Sequence, residues 1–298
     1  MNPVHLAIER AATYFAARET RQGYVARRLL GTARPEDDRL AEALLKERRA
    51  RIRSDGSVGG DLVATAWLAW EMMDLGAPAS AHAVQRSVNW ILGRQEKDGA
   101  FAEGCTPRRH ELKLCEHAIG GFFSYRSSGR SIRRLTLPTG AAVTSDQGAR
   151  FLASCFALRT VLRAGQEERT LVRRHVGSLL ALPKMWDSWG GLWAPTLTVG
   201  ALAAIAWAPS PFRGQLPILS EHLALNQKPD GSWRNLDIVH AVDSLVAVPL
   251  PQAKEAVALA APRLAKMQSQ RGTVGSGPYA EERTVVSLRA WLIAREYA

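Results

Sequence analysis

The sequence contains little cysteine and no long apolar run. Three cysteines, Cys105, Cys115 and Cys155, occur in 298 residues. That number is too small for a disulfide-stabilised scaffold and is typical of a reducing compartment. Residues 1–10 lack the apolar core of a signal peptide, and no uninterrupted apolar segment reaches the length that spans a membrane. We therefore expect a cytoplasmic protein.

Positive charge is in excess, with 39 Lys and Arg against 28 Asp and Glu and a formal net charge of +11. Much of it lies in short clusters, such as Arg27-Arg28 and the segment 46–53. Such clusters can bind nucleic acid, an anionic membrane surface, an acidic protein partner or a diphosphate, or can simply be solvated. No zinc-finger, helix-turn-helix or RNP-type pattern accompanies them, so we expect no nucleic-acid binding. An acidic protein partner and a peripheral membrane contact stay open.

One heptapeptide motif occurs twice. Gln227–Trp233 reads Gln-Lys-Pro-Asp-Gly-Ser-Trp, and Gln95–Phe101 reads Gln-Glu-Lys-Asp-Gly-Ala-Phe. Looser copies lie at 54–58, 189–193 and 268–274. The glycines of these segments recur at intervals of about 43 residues, or about twice that where a degenerate unit intervenes. Six repeats of one kind account for nearly the whole chain, and we expect a single domain over residues 1–298.

The motif has a structural explanation. Asp230-Gly231 can reverse the chain at low cost, because glycine tolerates positive φ and the Asp carboxylate can accept bonds from nearby amides. A glutamine at the end of the preceding helix can bond the backbone of the next repeat, and the aromatic ring can cover the joint. We therefore expect the motif to fasten neighbouring repeats to each other.

Between the motifs, the hydrophobic periodicity predicts pairs of helices. One helix of a pair is mostly apolar, as at 62–73, and the other is amphipathic, as at 80–93. The segments predicted as helices are 4–19, 36–52, 61–76, 80–93, 110–125, 145–164, 167–181, 194–207, 212–226, 235–248, 252–268 and 279–296. The basic stretch 126–144 is predicted to be irregular. The expected fold class is all-α, an α/α toroid of about six helical hairpins with apolar helices inside and amphipathic helices outside.

Two stretches carry a family resemblance. Thr65–Phe101 resembles a repeat of the terpene (squalene) cyclase and protein prenyltransferase β-subunit superfamily, and Gln227–Trp233 resembles the Gln-Trp motif of the same group. The resemblance covers about 54–297 and implies an α/α barrel whose aromatic central cavity takes isoprenoid chains. We predict that such a chain lies against Trp67, Trp193 and Trp233, whose π faces can also stabilise carbocations.

The signature motifs of the individual branches are missing from the sequence. It contains no Asp-x-Asp-Asp motif of the class II cyclases, and Asp37-Asp38 is followed by Arg-Leu-Ala, so the class I Asp-Asp-x-x-Asp motif is missing as well. Asp237-Ile-Val-His240 resembles a segment of the prenyltransferase zinc site, but the Asp-x-Cys pair of that site does not occur. The resemblance therefore implies a fold and a kind of ligand, and leaves the chemistry open.

A different set of metal-binding residue types lies between 105 and 117. Cys105, His110, Cys115 and His117 offer thiolate and imidazole groups, which zinc favours, and three of them with one open position would form a catalytic site. On a regular helix, however, Cys115 and His117 point in different directions. The alternative is that Cys115 packs in the core and that His110 lies at the funnel mouth and contacts substrate. We predict Cys105, Cys115 and His117 as metal ligands, for zinc or magnesium.

Polar residues on one apolar inner helix are further candidates. Asp237, His240 and Asp243 or Ser244 recur at steps of three or four, so they share a face of the predicted helix 235–248. A histidine flanked by carboxylates can act as an oriented general base or as a metal ligand. We predict that Asp237 and His240 are catalytic.

Three more charged residues lie at the starts of other inner helices. Asp146 and Arg150 open the predicted helix 145–164, and Glu281 opens the predicted helix 279–296. Acids in such positions are often only complements of the helix dipole. Because these helix starts surround one predicted funnel, we expect Asp146 and Arg150 to bind substrate and Glu281 to be catalytic.

These features favour an isoprenoid-handling enzyme that resembles terpene cyclases and prenyltransferases and binds a prenyl or prenyl diphosphate substrate in a central aromatic cavity. The alternative is a non-catalytic toroid that binds a peptide or protein partner in its funnel. A deep aromatic pocket favours the enzyme, whereas a shallow polar groove favours the binding protein.

Overall fold

A computed structural model of the chain describes residues 2–95, 134–144, 146–181 and 195–297. These residues form twelve α-helices and one small β-hairpin. The helices are α1 (Pro3–Phe15), α2 (Arg21–Leu30), α3 (Asp37–Ala50), α4 (Leu62–Asp74), α5 (His82–Leu92), α6 (Asp146–Arg163), α7 (Thr170–Ala181), α8 (Pro195–Ile205), α9 (Leu216–Leu225), α10 (Ile238–Leu245), α11 (Pro251–Lys266) and α12 (Ala280–Glu296). Strands β1 (Leu135–Thr136) and β2 (Ala142–Val143) pair antiparallel, and 3₁₀ turns lie at Ser210–Gln215 and Gly277–Tyr279. The prediction of an all-α fold is confirmed.

Six of the helices form a closed inner ring. In the order α2, α4, α6, α8, α10 and α12, each helix contacts the next, and α12 contacts α2. The other six helices lie outside, and each of them packs on at least one inner helix. Burial follows this division, since α10 buries seven of its eight residues and α3 buries two of its fourteen. In the described part of the chain, outer and inner helices therefore alternate through six helix pairs.

Local sequence signals explain where several inner helices begin and end. Asp61 precedes α4 and Asp237 precedes α10, and each side chain accepts a hydrogen bond from an amide in the first turn, at 2.8 and 2.9 Å. Such caps satisfy free N–H groups and place negative charge at the positive end of the helix dipole. Thr20 caps α2 in the same way, and Gly31, with φ of +69°, ends it.

The heptapeptide motif at 227–233 joins two outer helices. The Gln227 side-chain amide donates to the carbonyl of Gly231, at 3.0 Å, and to that of Ala256 on α11, at 2.9 Å. Trp233 is buried and its Nε1 donates to the carbonyl of Leu223 on α9, at 2.8 Å. The structure thus places this motif at the joint between the outer helices α9 and α11.

The looser copy at 268–274 makes the same contacts across the closure of the ring. The Gln268 side-chain amide donates to the carbonyls of Gly272 and of Ala7 on α1, both at 3.0 Å. This joint fastens the loop after α11 to α1, and α1 also packs against α12. Of the copy at 95–101 the structure describes Gln95 alone, whose Nε2 lies 3.3 Å from Nδ1 of His175. The copy at 189–193 and the predicted helix 110–125 lie outside the described residues.

Two elements differ from the sequence prediction. Residues 21–30, which the hydrophobic periodicity left between two predicted helices, form the inner helix α2 and bury two arginines, Arg21 and Arg27. Arg27 is held by Asp37 and by the carbonyls of Phe15 and Arg18. Because α2 buries charged groups, it lacks the apolar stripe on which helix prediction relies. The second element is the β-hairpin 135–143, within the stretch predicted to be irregular.

No helix in the described part of the chain is both long enough and apolar enough to cross a membrane.

Candidate functional site

A cavity lies inside the inner ring. Side chains and backbone from α4, α6, α8, α10 and α12 line it, together with residues 137–139 of the β-hairpin. It contains about 520 Å³ of space between its walls, part of it open to solvent. Its apolar lining includes Trp67, Trp70, Leu137, Leu152, Cys155 and Phe156. An apolar, aromatic lining with a few polar groups is typical of sites for small apolar ligands.

Charged and polar side chains form another part of the lining, namely Arg159, His240, Asp243, Glu282 and Arg289. Arg159 Nη1 donates to Asp243 Oδ2 at 2.7 Å, and its guanidinium carbon lies 4.1 Å from the ring centre of Trp70. Burial alone would raise the pKa of Asp243, but the charge and hydrogen bond of Arg159, together with the charge of Arg289, outweigh burial and hold that pKa below its ordinary value. Asp243 is therefore an ionised carboxylate at neutral pH.

His240 is a neutral polar group in the lining of the cavity, as is Thr139 of the β-hairpin. It is 9% exposed, and its Nε2 has no hydrogen-bond partner among the described residues. Burial lowers the pKa of His240, and the carboxylates of Asp243 and Asp237 oppose this shift without cancelling it. The imidazole is consequently uncharged at pH 7, with a buried nitrogen that can exchange a hydrogen bond or a proton with a bound molecule.

A buried cluster of charges supports one side of the cavity. Arg21 pairs with Glu71, with Asp74 at 2.6 Å and with Glu282, so this one guanidinium connects α2, α4 and α12. Arg163 of α6 forms an ion pair with the other oxygen of Asp74, with its Nη1 at 2.8 Å. Removing one partner from such a buried set leaves an uncompensated charge, so the cluster fixes how these four helices sit around the cavity.

The β-hairpin covers the end of the ring at which α10 and α12 begin. The guanidinium of Arg283 donates to the carbonyl of Thr139 and to the carboxylate of Asp237, both at 3.0 Å. Gly140, with φ of +81°, packs against the ring of Tyr279. The hairpin is thus attached to the start of α12, whose Arg283 also pairs with the cap of α10, and its residues 137–139 line the cavity.

The structure separates the three predicted catalytic residues. His240 lines the cavity, but Asp237 lies one turn away, where it caps α10 and pairs with Arg283. Glu281 lies outside the cavity lining and accepts hydrogen bonds from Tyr14, at 3.0 Å, and from Thr20, at 2.9 Å. Its neighbour Glu282 faces the cavity instead, because consecutive helical residues point about 100° apart.

The predicted substrate-binding residues are also divided. Trp67 lines the cavity, with its ring centre 6.0 Å from that of Phe156, whereas Trp233 is used in the joint between α9 and α11. Arg150 is a half-buried residue of α6 outside the cavity lining. Asp146 is the first residue of α6, and its side chain lies outside what the structure describes.

The remaining predicted residues, His110, Trp193, Cys105, Cys115 and His117, lie outside the described residues. Within the described ranges, no three His, Cys, Asp or Glu side chains are grouped as a metal site would need. The zinc or magnesium site therefore stays a prediction.

Sequence reasoning missed several cavity residues. Trp70 follows Trp67 by three positions, and this spacing on an apolar helix was a signal that both rings face one side. Arg159 follows Leu158, and Arg289 lies between Leu288 and Ala290, so each interrupts a run of buried residues, where a charge needs a partner or a cavity. Those two arginines were therefore detectable as polar exceptions, although their partners were not.

No protein-family model matches the sequence, and no curated protein matches it either. Solved structures match over the whole chain. The type II terpene cyclase MstE from Scytonema, in complex with the substrate geranylgeranyl dihydroxybenzoate, is 13% identical, with 100% of this chain and 99% of that one covered and a TM-score of 0.59. Its complex with the product merosterolic acid A gives 14% identity, 100% and 98% coverage and a TM-score of 0.59. A protein from Actinoplanes gives 13% identity, 98% and 99% coverage and a TM-score of 0.56. At these identities the similarity shows a shared fold.

Proposed function

We propose that this chain is an isoprenoid-handling enzyme of the terpene cyclase kind, which binds a polyprenyl chain in the central cavity and moves a proton with His240. The observation that carries the proposal is the combination, inside one ring of helices, of an aromatic lining with a buried, uncharged imidazole. The fold supports it, because structures of the same fold were solved with a geranylgeranyl substrate and a terpenoid product.

The lining suits both the substrate and its reaction. The rings of Trp67, Trp70 and Phe156 offer apolar surface to an isoprenoid chain. The guanidinium groups of Arg21 and Arg159 lie 4.8 and 4.1 Å from the ring centres of Trp67 and Trp70, so it is the π face of Phe156 that can attract the positive charge that develops along the chain.

In the tautomer that carries its proton on Nδ1, His240 has a lone pair on Nε2. That lone pair can accept a proton from the carbon next to a cation, which leaves an alkene, and the nearby carboxylate of Asp243 stabilises the resulting imidazolium.

Asp243 does not serve as the proton donor in this proposal. Arg159 holds it as a carboxylate, and its part is to orient Arg159 and to balance charge near His240. A diphosphate head group on the substrate, and a zinc or magnesium ion held by Cys105, Cys115 and His117, are separate predictions. Metal analysis of the purified protein tests the second of them.

The His240→Ala variant tests the proposal. Incubation with geranylgeranyl dihydroxybenzoate, followed by product detection, should show turnover by the wild-type protein and a loss of about 10²–10⁴-fold in the variant. Binding of the substrate, followed by tryptophan fluorescence, should persist in the variant, because the aromatic lining is intact.

His82→Ala, on the exposed side of α5, is the matched control and should behave as the wild type. If His240 only packs in the core, His240→Ala should lower the free energy of unfolding by about 1–3 kcal/mol and leave turnover per folded molecule unchanged. That result would remove His240 from the mechanism. Absence of both binding and turnover in the wild-type protein, with prenyl diphosphates of several lengths also tried, would reject the function itself.

A further inference from the structure

Three buried polar atoms in the cavity lining have no hydrogen-bond partner among the described residues, namely Nε of Arg159, Nε2 of His240 and the hydroxyl oxygen of Thr139. Arg159 already bonds Asp243 through another nitrogen of the same guanidinium. Thr139 is 5% exposed, and a buried hydroxyl without a partner destabilises a fold because it has given up its hydrogen bonds to water. The hydroxyl of Thr139 and the Nε2 atom of His240 therefore call for a partner from outside the protein chain.

The β-hairpin fixes Thr139 in the cavity lining through its backbone. The turn from Leu137 to Gly140 is closed by the Gly140 amide, which donates to the carbonyl of Leu137 at 2.8 Å, and Pro138 suits the second position of such a turn. The carbonyl of Thr139 accepts a hydrogen bond from Arg283, at 3.0 Å. These bonds hold the backbone of Thr139 in place and keep its side chain in the lining of the cavity.

Arg283 also connects Thr139 to the residue that carries the imidazole. The guanidinium that bonds the Thr139 carbonyl bonds the carboxylate of Asp237 as well, at 3.0 Å. Asp237 in turn accepts a hydrogen bond from the backbone amide of His240, at 3.1 Å. One arginine and one carboxylate thus link the backbones of two residues whose side chains both line the cavity, at the end that the hairpin covers.

The chemistry of the two atoms suits a water molecule. Buried waters typically make about two to four hydrogen bonds to polar groups that have no other partner. A threonine hydroxyl can donate to a water, and the uncharged imidazole of His240 can accept from the same water at Nε2. The hydrocarbon part of an isoprenoid can bond neither atom. A water that donates to an imidazole is also a better nucleophile, because the base takes its proton as the oxygen reacts.

We propose that Thr139 and His240 hold one water molecule between them, and that this water ends the reaction by adding to the cation, so that the main product is an alcohol. This inference rests on the proposed function and specifies its class of product. A lone pair of the water oxygen forms the new C–O bond, and the O–H bond that breaks gives its proton to Nε2 of His240. The proton that creates the cation and the proton that His240 accepts balance, so the sum of the reaction is the addition of one water to an alkene.

Turnover in water labelled with heavy oxygen tests the product. With the wild-type protein and geranylgeranyl dihydroxybenzoate, we expect mainly a labelled alcohol, heavier than the substrate by one labelled water, whereas an alkene formed by proton loss has the mass of the substrate. Thr139→Val, which has nearly the same shape without the hydroxyl, should lower the ratio of alcohol to alkene by about 10-fold. Thr139→Ser should keep the ratio because it keeps the hydroxyl. Thr13→Val, an exposed change of the same kind on α1, should behave as the wild type.

A crystal structure of the substrate-free full chain tests the water itself. One ordered water should lie within hydrogen-bond distance of both Thr139 Oγ1 and His240 Nε2 in the wild type, and it should be missing in Thr139→Val. An alkene as the main wild-type product overturns this inference and leaves the proposed function standing. Equal ratios of alcohol to alkene in the wild type and in Thr139→Val, or separate waters on the two side chains, overturn the role of Thr139. Absence of turnover in the wild-type protein overturns the inference together with the proposed function.

Discussion

Replacing Gly272 by alanine should open the joint that closes the helical ring. Gly272 has φ of +94°, a region that L-residues with a Cβ rarely adopt. A Cβ at this position would lie 2.5 Å from the carbonyl oxygen of Arg10 and 3.0 Å from Cβ of Tyr14, both on α1. The first of these contacts is with backbone, which cannot rotate away, so either α1 or the loop must move.

The expected cost has two parts. Placing alanine in the left-handed region costs about 1–2 kcal/mol, and the forced displacement of packed groups costs about 1–3 kcal/mol more. We therefore expect Gly272→Ala to lower the free energy of unfolding by about 2–5 kcal/mol. Gly165→Ala is the matched control, because Gly165 has φ of +71° but an added Cβ there meets nothing within 4 Å. It should cost only the first part, about 1–2 kcal/mol.

Urea unfolding followed by far-ultraviolet circular dichroism measures both variants, provided that one cooperative transition is seen. Gly231→Ala adds a comparison at the joint between α9 and α11, away from the closure of the ring, since its Cβ would lie 2.3 Å from the carbonyl oxygen of Leu259 on α11. The reasoning fails if Gly272→Ala and Gly165→Ala have equal stability. It also fails if Gly272→Ala gains stability, as glycine-to-alanine changes do where the backbone permits them.

Three further changes test other parts of the structure. Trp233→Ala should lower the free energy of unfolding, measured by urea unfolding, by about 3–5 kcal/mol. Trp233→Phe loses only the hydrogen bond to the Leu223 carbonyl and some ring area, so it should lower that free energy by about 1–2 kcal/mol. Equal losses in the two variants would contradict the assigned contact. Burial lowers the pKa of His175 to about 3 in the folded protein, so between pH 6.5 and 3 the imidazole is protonated in the unfolded chain and not in the folded one. From neutral pH to pH 5, the free energy of unfolding of the wild type should therefore fall by about 2 kcal/mol more than that of His175→Gln. An identical loss in both proteins would show that His175 is not responsible. Arg21→Met should lower the free energy of unfolding by about 3–5 kcal/mol, because it leaves buried carboxylates without their cation. Arg49→Met, on the exposed face of α3, should leave that free energy almost unchanged. Equal stability of the two variants would refute the structural role of the buried cluster.

The alternation of outer and inner helices could be predicted from the sequence, because an inner helix is buried on more sides than an outer one and so has more apolar residues. Inner helices such as α4 are apolar on every side, and the turns between repeats need glycine at positive φ, as at Gly56 and Gly231. Both requirements leave local patterns. The helix α2 left no such pattern, since it buries Arg21 and Arg27 against carboxylates that other segments supply.

The site was harder to predict because it depends on the phase of each helix and on contacts across the ring. The sequence prediction selected Glu281, whereas the residue that lines the cavity is its neighbour Glu282, because one residue turns a side chain by about 100°. His240 could be singled out because a polar residue on an apolar helix needs an explanation. The proximity of His240 to Arg159, which lies 81 positions earlier in the chain, could not be predicted, because no local pattern links residues on α6 and α10.

The closed ring also sets the order in which the protein can be completed during its synthesis. Arg21 and Glu282 are 261 positions apart, as are Ala7 and Gln268. At ribosomal rates of roughly 5–20 residues per second, the first hairpin therefore waits roughly 10–50 s for the helix and loop that cover it. During that interval the apolar sides of α1 and of the other early hairpins remain uncovered, and closing so long a segment carries an entropic cost that no local contact offsets. Newly made chains should therefore depend on chaperones until α12 has left the ribosome.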